Sequence, residues 1–368
     1  MTEVNIILFI TICTTLSVSS FFIRSSRSLF SRYIVLLQFL IVTIFLLVRD
    51  PTASSDYNNY KTFYDNTVTP DSILDAYSGD YVFAIFNFIG QAFNLDTETY
   101  FLIFPIICLS LSLLALTLLV EKRYLPIAFG FLVINPGFIL LFTNALRQGL
   151  SVPFLMLGIA FYLKQKKIIS YFLFIASIFS HSAAIPIIFA FGVTIQLAKK
   201  RDEKQIIKFA ILIMFLTLVA TLLASLAPSV IIAFANLGGP LTKIERYYGS
   251  GYSSQVFYIK LLFAYFLSCI NIYFFKKYSI SSIKPYKILL FIQLCIFVVF
   301  IASPIPLISS RLLYYPELIV SAIIPYTYKF FQKISGLKYF NFYILWVITA
   351  IIGSFVYLFP SIRANIGL

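Results

Sequence analysis

The chain has 368 residues, 60% of them hydrophobic and only 11% charged, whereas a soluble domain carries roughly 25% charged residues. A mean hydropathy of +0.94 and apolar runs from end to end exclude a soluble globular protein and leave little room for a separate soluble domain. The net charge of +14 sits in short loops between apolar runs, so it calls for no nucleic-acid partner.

Apolar runs fall at about 4–23, 33–48, 100–120, 125–143, 148–163, 168–181, 183–198, 206–227, 256–275, 287–303, 312–328 and 340–359. A helix of ~17–25 apolar residues crosses ~30 Å of hydrocarbon. The expectation is an all-α polytopic membrane protein, one transmembrane domain over 1–368 with twelve helices. The first residues, MTEVN, include Glu3 and no basic stretch, so the first run is expected to stay as a helix and not be cleaved as a signal peptide.

Basic loops separate the runs: RSSRSLFSR (24–32), EKRY (121–124), KQKK (164–167), KKRDEK (199–204), KKYSISSIKPYK (276–287) and KFFQKISGLK (329–338). With both termini outside, all six fall on one side. With Lys208, which follows the fourth of them closely, that side then holds 20 of the 28 Lys and Arg but 3 of the 14 Asp and Glu, the asymmetry of a cytoplasmic face. Tyr81–Phe93 (YVFAIFNFIGQAF) is too short to span easily and reads as a re-entrant or interfacial helix. Residues 168–198 are too long for one span, and read as a hairpin with its apex near His181–Pro186. The outer loops are then 49–99, 228–255 and 304–311. No internal repeat is visible, so an inverted-repeat transporter is not supported.

The four cysteines, Cys13, Cys108, Cys269 and Cys295, lie inside apolar runs without a CxxC partner, and read as small buried hydrophobes. One histidine cannot build a histidine-based metal cluster. No metal site and no cofactor are expected.

The most informative segment is Asn144–Pro186, NALRQGLSVPFLMLGIAFYLKQKKIISYFLFIASIFSHSAAIP. Lysines beside apolar runs mark the cytoplasmic face. Arg147 stands 17 residues before Lys164, roughly 25 Å along a helix. His181 stands 14 residues after Lys167, roughly 21 Å. Both should lie slightly below the outer surface, at similar depth on adjacent helices, where ionisable groups are expensive and usually functional. Arg311, 18 residues before Lys329, comes to the same level at roughly 27 Å. Glu317 lies deeper on that run. In SDYNNYKTFYD, Asp56, Tyr57, Tyr60 and Tyr64 fall at helical spacing, and KIERYYGSGY offers Arg246, Tyr247 and Tyr248. Aromatic rings present faces for sugar rings, and arginine grips phosphate bidentately without losing its charge.

Each of these residues has a structural alternative. Outer arginines can pair with the acidic outer loops, and the histidine can bond a neighbouring backbone. Tyr314 and Tyr315 can belong to an interfacial aromatic belt, and Glu317 can pair with Lys260. The carboxylates of 50–80 read mostly as a solvated surface, with Asp56 the one singled out.

The stretch RQGLSVPFLMLGIAFYLKQKKIISYFLFIASIFSHSAAIPIIF resembles the central motif of the EpsG/Wzy group of polysaccharide polymerases: an Arg-Gln pair, an apolar helix, a lysine cluster, a second apolar helix, then a histidine followed by Ser and small residues. DYNNYKTFY after an Arg-Asp resembles the first outer loop of that group, and SRLLYYPELIVSAIIP its late Arg-Leu-x-x-Tyr segment. The group's Glu-Pro-Gly-aromatic stretch is replaced here by SGDYVFAIFN, to which no role is assigned.

The resemblance implies a GT-C-like, metal-independent membrane glycosyltransferase of the bacterial inner membrane. It would polymerise O-antigen or related polysaccharide repeat units carried on undecaprenyl pyrophosphate, at the periplasmic face. Donor and acceptor are both lipid-linked oligosaccharides, and a chain-length regulator is a further candidate partner beside membrane lipid. The growing chain leaves its lipid pyrophosphate and passes to a new unit. His181, Arg147, Arg311, Asp56 and Glu317 are the candidate catalytic residues. Arg246, Tyr247, Tyr57, Tyr60 and Gln148 are the candidate substrate-binding ones. His181 is either general base or donor to the pyrophosphate, with Asp56 and Glu317 as rival bases. A lipid-linked oligosaccharide flippase is the alternative from another class; it would need charges deep in the core and on the inner side, whereas the unusual polar residues here concentrate outward. An O-antigen ligase would share the fold and differ in its acceptor. A membrane acyltransferase lacks its supporting motifs.

Overall fold

The computed structural model describes residues 28–54, 56–67, 69, 71, 73, 79–225, 254–277, 283–303 and 306–327. The first run 4–23 with Cys13, loop residues 228–253 with Arg246 and Tyr247, the basic loop 329–338 and the last run 340–359 lie outside them. Among the described residues every regular element is helical. The chain divides into two compact units, one up to Ala184 that resumes at Ile324, the other Ile185–Ile323.

The first unit begins with α1 (Ser28–Val48), whose apolar side chains Leu36, Leu40, Ile44 and Leu47 are exposed. Such a surface suits lipid and not water. A short 3₁₀ turn, Pro51–Ala53, leads to the amphipathic α2 (Tyr57–Asn66), which buries Tyr57, Tyr60, Phe63 and Tyr64. The helical spacing of the tyrosines in the sequence is therefore a real helix face. Next come α3 (Tyr81–Ala92) and α4 (Thr97–Leu119). Tyr64 stacks on Tyr100 at 4.4 Å and its hydroxyl donates to the Leu95 carbonyl at 2.8 Å, so this tyrosine is a structural pin.

The apolar run 125–143, read above as one helix, is two: α5 (Leu125–Ile134) and α6 (Pro136–Thr143). Pro136 cannot continue the α5 ladder but is pre-set for a first helical position. Asn135 makes the new start, its side chain accepting from Gly137 N at 2.8 Å.

Helix α7 (Leu146–Leu163) packs between α4 and α8 (Lys167–Ser180). Small residues let the backbones approach, as in membrane helix pairs. A Cβ on Gly158 would lie 2.6 Å from the Phe174 ring, and one on Gly149 would lie 2.4 Å from the Leu141 carbonyl oxygen. Serines stitch the same face: Ser151 Oγ donates to the Ser177 carbonyl (2.9 Å), Ser177 Oγ to that of Ser151 (2.8 Å) and Ser170 Oγ to that of Gly158 (2.8 Å). The outer face of α8 exposes Tyr171, Phe172, Ile175 and Phe179. After α8 the chain breaks at His181–Ala183 and helix resumes as α9 (Ala184–Leu197).

In the second unit α10 (Glu203–Ser225) packs on α12 (Lys284–Ile301), which also meets α11 (Ser254–Lys277) and α13 (Pro306–Ile319). Ser309 Oγ donates to the Val299 carbonyl at 2.7 Å, and Phe191 meets Phe291 edge to face. Cys108 and Cys295 are buried and Cys269 partly so; all three are free thiols.

Among the described helices, Ser31–Val48 of α1, α4, α7 and α12 are long and apolar enough to cross a membrane. The protein is a membrane protein, all-helical among the described residues. Helix α3 has 12 residues, a rise of about 18 Å, short of the ~30 Å hydrocarbon thickness.

Candidate active site

Three helix ends of the first unit converge. Arg147 occupies the first turn of α7, Asp80 stands at the N-terminal cap of α3, and His181 is the C-terminal cap of α8. Arg147 Nη1 and Asp80 Oδ2 are 2.6 Å apart. His181 Nδ1 is 4.0 Å from Asp80 Oδ1. The Arg147 guanidinium also hydrogen-bonds Tyr60 and lies 6.0 Å from its ring centroid. Asp80 is nearly out of solvent, its side chain 10% exposed, while Arg147 keeps 25%.

Local chemistry explains the arrangement. Gly79 has φ +110°, a conformation that L side chains rarely adopt, so it can turn the chain sharply into α3. Asp80 then makes no side-chain cap to its own helix. Its carboxylate reaches across 67 residues of sequence to Arg147. A cation in the first turn of α7 opposes the helix dipole, and the carboxylate offsets that cost. At the other end of α8, His181 adopts an extended backbone, φ −165°, and its N–H still donates to the Ser177 carbonyl at 3.1 Å. The ring thereby leaves the helix line where the chain breaks.

Tyr60 adds a neutral donor beside the pair. Burial raises its pKa, with the Arg147 guanidinium opposing the rise, so at neutral pH it is a phenol. Asp56 precedes α2, its N–H donating to Asn144 Oδ1 at 3.2 Å. Its charge acts on Tyr60 from a distance. Tyr57 is buried edge-on to Phe101, with centroids 5.6 Å apart, and Gln148 is buried beside Arg147. Arg311, in the second turn of α13, and Glu317, near its end, belong to the second unit and are each part-buried. Arg246 and Tyr247 lie outside the described residues.

Arg147 and His181, expected at one depth from helix rise, both lie beside Asp80, at 2.6 Å and 4.0 Å. The sequence reading places the carboxylates of 50–80 mostly on a solvated surface and gives SGDYVFAIFN no role. The structure buries Asp80 against an arginine instead. A signal existed, because a buried arginine calls for a counter-charge and Asp80 directly precedes a short apolar helix after a glycine.

This arrangement can bind an anion on a guanidinium, hold an imidazole 4.0 Å from a carboxylate, and donate from a phenol. No curated protein and no solved structure matches the chain. The model of the EpsG family matches residues 32–361. That covers most of the sequence, including every residue of the convergent helix ends, and the chain belongs to the EpsG family, whose members are Wzy-type polymerase-like membrane proteins.

Proposed function

We propose that the protein is a polysaccharide polymerase that joins oligosaccharide repeat units carried on undecaprenyl pyrophosphate at the periplasmic face of the inner membrane. The observation that carries this reading is the Asp80–Arg147–His181 convergence in a member of this family. In the proposed step, an acceptor sugar hydroxyl attacks the anomeric carbon of the donor. The new C–O bond forms as the bond from that carbon to the pyrophosphate oxygen breaks. His181 takes the hydroxyl proton, within reach of Asp80, which orients the imidazole and stabilises its cation; general bases of this kind contribute about 10²–10⁴-fold. Arg147, with Tyr60 beside it, stabilises the pyrophosphate as it departs, a preorganised electrostatic term. Arg311 is proposed to share that charge. Asp56 and Glu317 remain the rival bases, and Gln148, Tyr57, Arg246 and Tyr247 the proposed saccharide contacts.

The proposed topology is twelve membrane crossings in a GT-C-like arrangement with both termini outside, the run 125–143 crossing as the pair α5 and α6, α3 lying re-entrant or interfacial and the break at His181–Ala183 facing outward. Guanidiniums supply the positive charge, so chelation with EDTA should leave chain length unchanged; a shortened ladder on chelation would remove the metal-independent mechanism.

The decisive experiment is the sugar phenotype of a deletion strain. Loss of the polymer ladder with single-repeat products retained is the expected result. Complete loss of the antigen points to a flippase, and unattached polymer to a ligase. Complementation with Arg147→Lys should fail as Arg147→Ala does, because a point charge cannot reproduce bidentate contacts.

A further inference from the structure

Arg147 and Tyr60 meet although one starts α7 and the other belongs to α2. A single side chain in the turn between α6 and α7 sets those two helix starts in register. Asn144 Oδ1 accepts twice, from the Ser54 hydroxyl at 2.6 Å and from the Asp56 N–H at 3.2 Å. Both donors come just before α2, and both lone pairs of the amide oxygen are engaged. The Asp56 carbonyl in turn accepts from the Tyr60 N–H at 3.0 Å. Tyr60 hydrogen-bonds the Arg147 guanidinium, and Arg147 follows Asn144 by three residues. The links close a ring that runs Asn144, Asp56, Tyr60, Arg147 and back along the chain to Asn144.

The turn is also tied to the helices behind it. The N–H groups of Asn144 and Ala145 both donate to the Leu140 carbonyl, at 3.0 and 2.9 Å. One residue earlier, the Thr143 carbonyl accepts from Arg49 Nη1 at 3.2 Å, while Arg49 Nη2 donates to the Phe101 carbonyl of α4. That carbonyl has no helical donor, because residue 105 is a proline inside α4 and lacks an N–H. The start of α7 is therefore fixed to α4 on one side and to the loop before α2 on the other.

Backbone needs do not account for an asparagine here. Asparagine serves past helix ends because it tolerates the left-handed conformation, but Asn144 has φ −120°. What the position uses is the side-chain oxygen.

We propose that Asn144 is a positioning residue of the Asp80–Arg147–His181 site: its side-chain oxygen holds the start of α2 against the start of α7, so that Tyr60 and Asp80 share one guanidinium. Asn144 touches no substrate in this role and acts through Arg147. Its effect on polymer rests on the polymerase reading; its effect on the geometry of the three residues does not.

His181 is the only histidine in the chain, so isotope-labelled histidine gives one ring to follow by NMR in the purified full chain in lipid nanodiscs. The ring lies 4.0 Å from the carboxylate that Arg147 holds. Arg147→Gln sets the scale of the change in its resonance. Asn144→Ala, which removes both bonds, should move the resonance in the same direction by a sizeable fraction of that scale. Ser54→Ala, which removes one bond, should move it less. Ser54→Thr keeps the hydroxyl on an extended backbone, φ −71° and ψ 134°, which suits a β-branched residue, and should leave the wild-type resonance. Asp96→Ala, a loosened helix cap, should lower melting without moving it. In the complemented deletion strain at wild-type expression, polymerisation should fall in the same order, by about 10²-fold in Asn144→Ala, the cost of a misplacement of about 1 Å, and stay normal in Ser54→Thr. An unmoved resonance in Asn144→Ala, with melting lowered, makes the turn purely structural and overturns the proposal. Where Asn144→Ala does not fold, an unmoved resonance in Ser54→Ala has the same meaning. Equal shifts in Ser54→Ala and Ser54→Thr overturn it too, because the hydroxyl would not be what holds the turn. A resonance that moves as expected, in a protein whose deletion leaves normal polymer, keeps the positioning role and removes the polymerase reading.

Discussion

Asp80 and Asp96 occupy the same local position, each the N-terminal cap of an apolar helix, and they behave in opposite ways. Asp96 serves its own helix: Oδ1 accepts from Thr99 N at 2.8 Å and Oδ2 from the Thr99 hydroxyl at 2.8 Å. Asp80 makes no side-chain cap and gives its carboxylate to Arg147, with His181 close by. A cap aspartate is expected to satisfy the first backbone N–H groups. One that leaves them to bind a distant cation has exchanged a local cap for a long-range ion pair. The difference teaches where to look in a membrane protein of few charges: at a residue that declines its local role.

The largest effect should come from breaking the Asp80–Arg147 pair. Asp80→Ser keeps a good cap residue for α3 and removes the carboxylate. It should abolish polymer and lower thermal stability, since removing one partner of a buried pair costs about 3–5 kcal/mol; the partial exposure of Arg147 places this pair toward the lower figure. The double variant Asp80→Asn with Arg147→Gln should recover much of the melting temperature and none of the activity. Full activity in Asp80→Ser would erase the contrast with Asp96.

His181 comes next, with an effect on rate alone. His181→Gln keeps hydrogen bonding but cannot take a proton near neutral pH, so polymerisation in membranes should fall about 10²–10⁴-fold with the melting temperature little changed. If Gln retains polymer while Ala does not, the ring orients substrate and the base is Asp56 or Glu317. If both retain polymer, His181 is structural.

The interface of α7 with α8 supplies a purely structural contrast. Gly158→Leu would drive a Cβ to 2.6 Å from the Phe174 ring, and overpacking of this kind costs about 1–3 kcal/mol. Melting should fall, while the specific activity of the folded fraction is retained.

Much of this was legible before any coordinates. Composition and the positive-inside asymmetry point to membrane helices because the bilayer leaves few alternatives, and counting residues from the lysines by helix rise singles out Arg147 and His181, which lie 2.6 Å and 4.0 Å from Asp80. The tyrosine spacing of α2 was legible for the same reason. The break at Asn135–Pro136 was hidden by uniform hydrophobicity on both sides, although an Asn-Pro step is itself a turn signal. Asp80 was hidden for another reason. Pairing over 67 residues leaves no local trace, and the acidic loop around it made one more aspartate unremarked.

Asp96 should give the smallest effect, and its pH dependence completes the comparison. The Thr99 N–H and hydroxyl lower its pKa below the ordinary 3.8. A carboxylate with a depressed folded-state pKa contributes stability above its unfolded value, and that contribution fades as pH falls through the folded one. Asp96→Ala should therefore lower the melting temperature slightly at pH 7, where the wild-type cap is ionised, and by progressively less as pH falls below 3.8. Because Asp96 is exposed, the shift should be a small fraction of that in Asp80→Ser, and Asp96→Ser, which keeps a capping oxygen, should nearly remove it. Polymer length should be untouched by either variant. A polymer defect in Asp96→Ser, measured at wild-type expression, would show that this cap also reports to the site, and the two aspartates would no longer divide into one that holds a helix and one that holds an arginine.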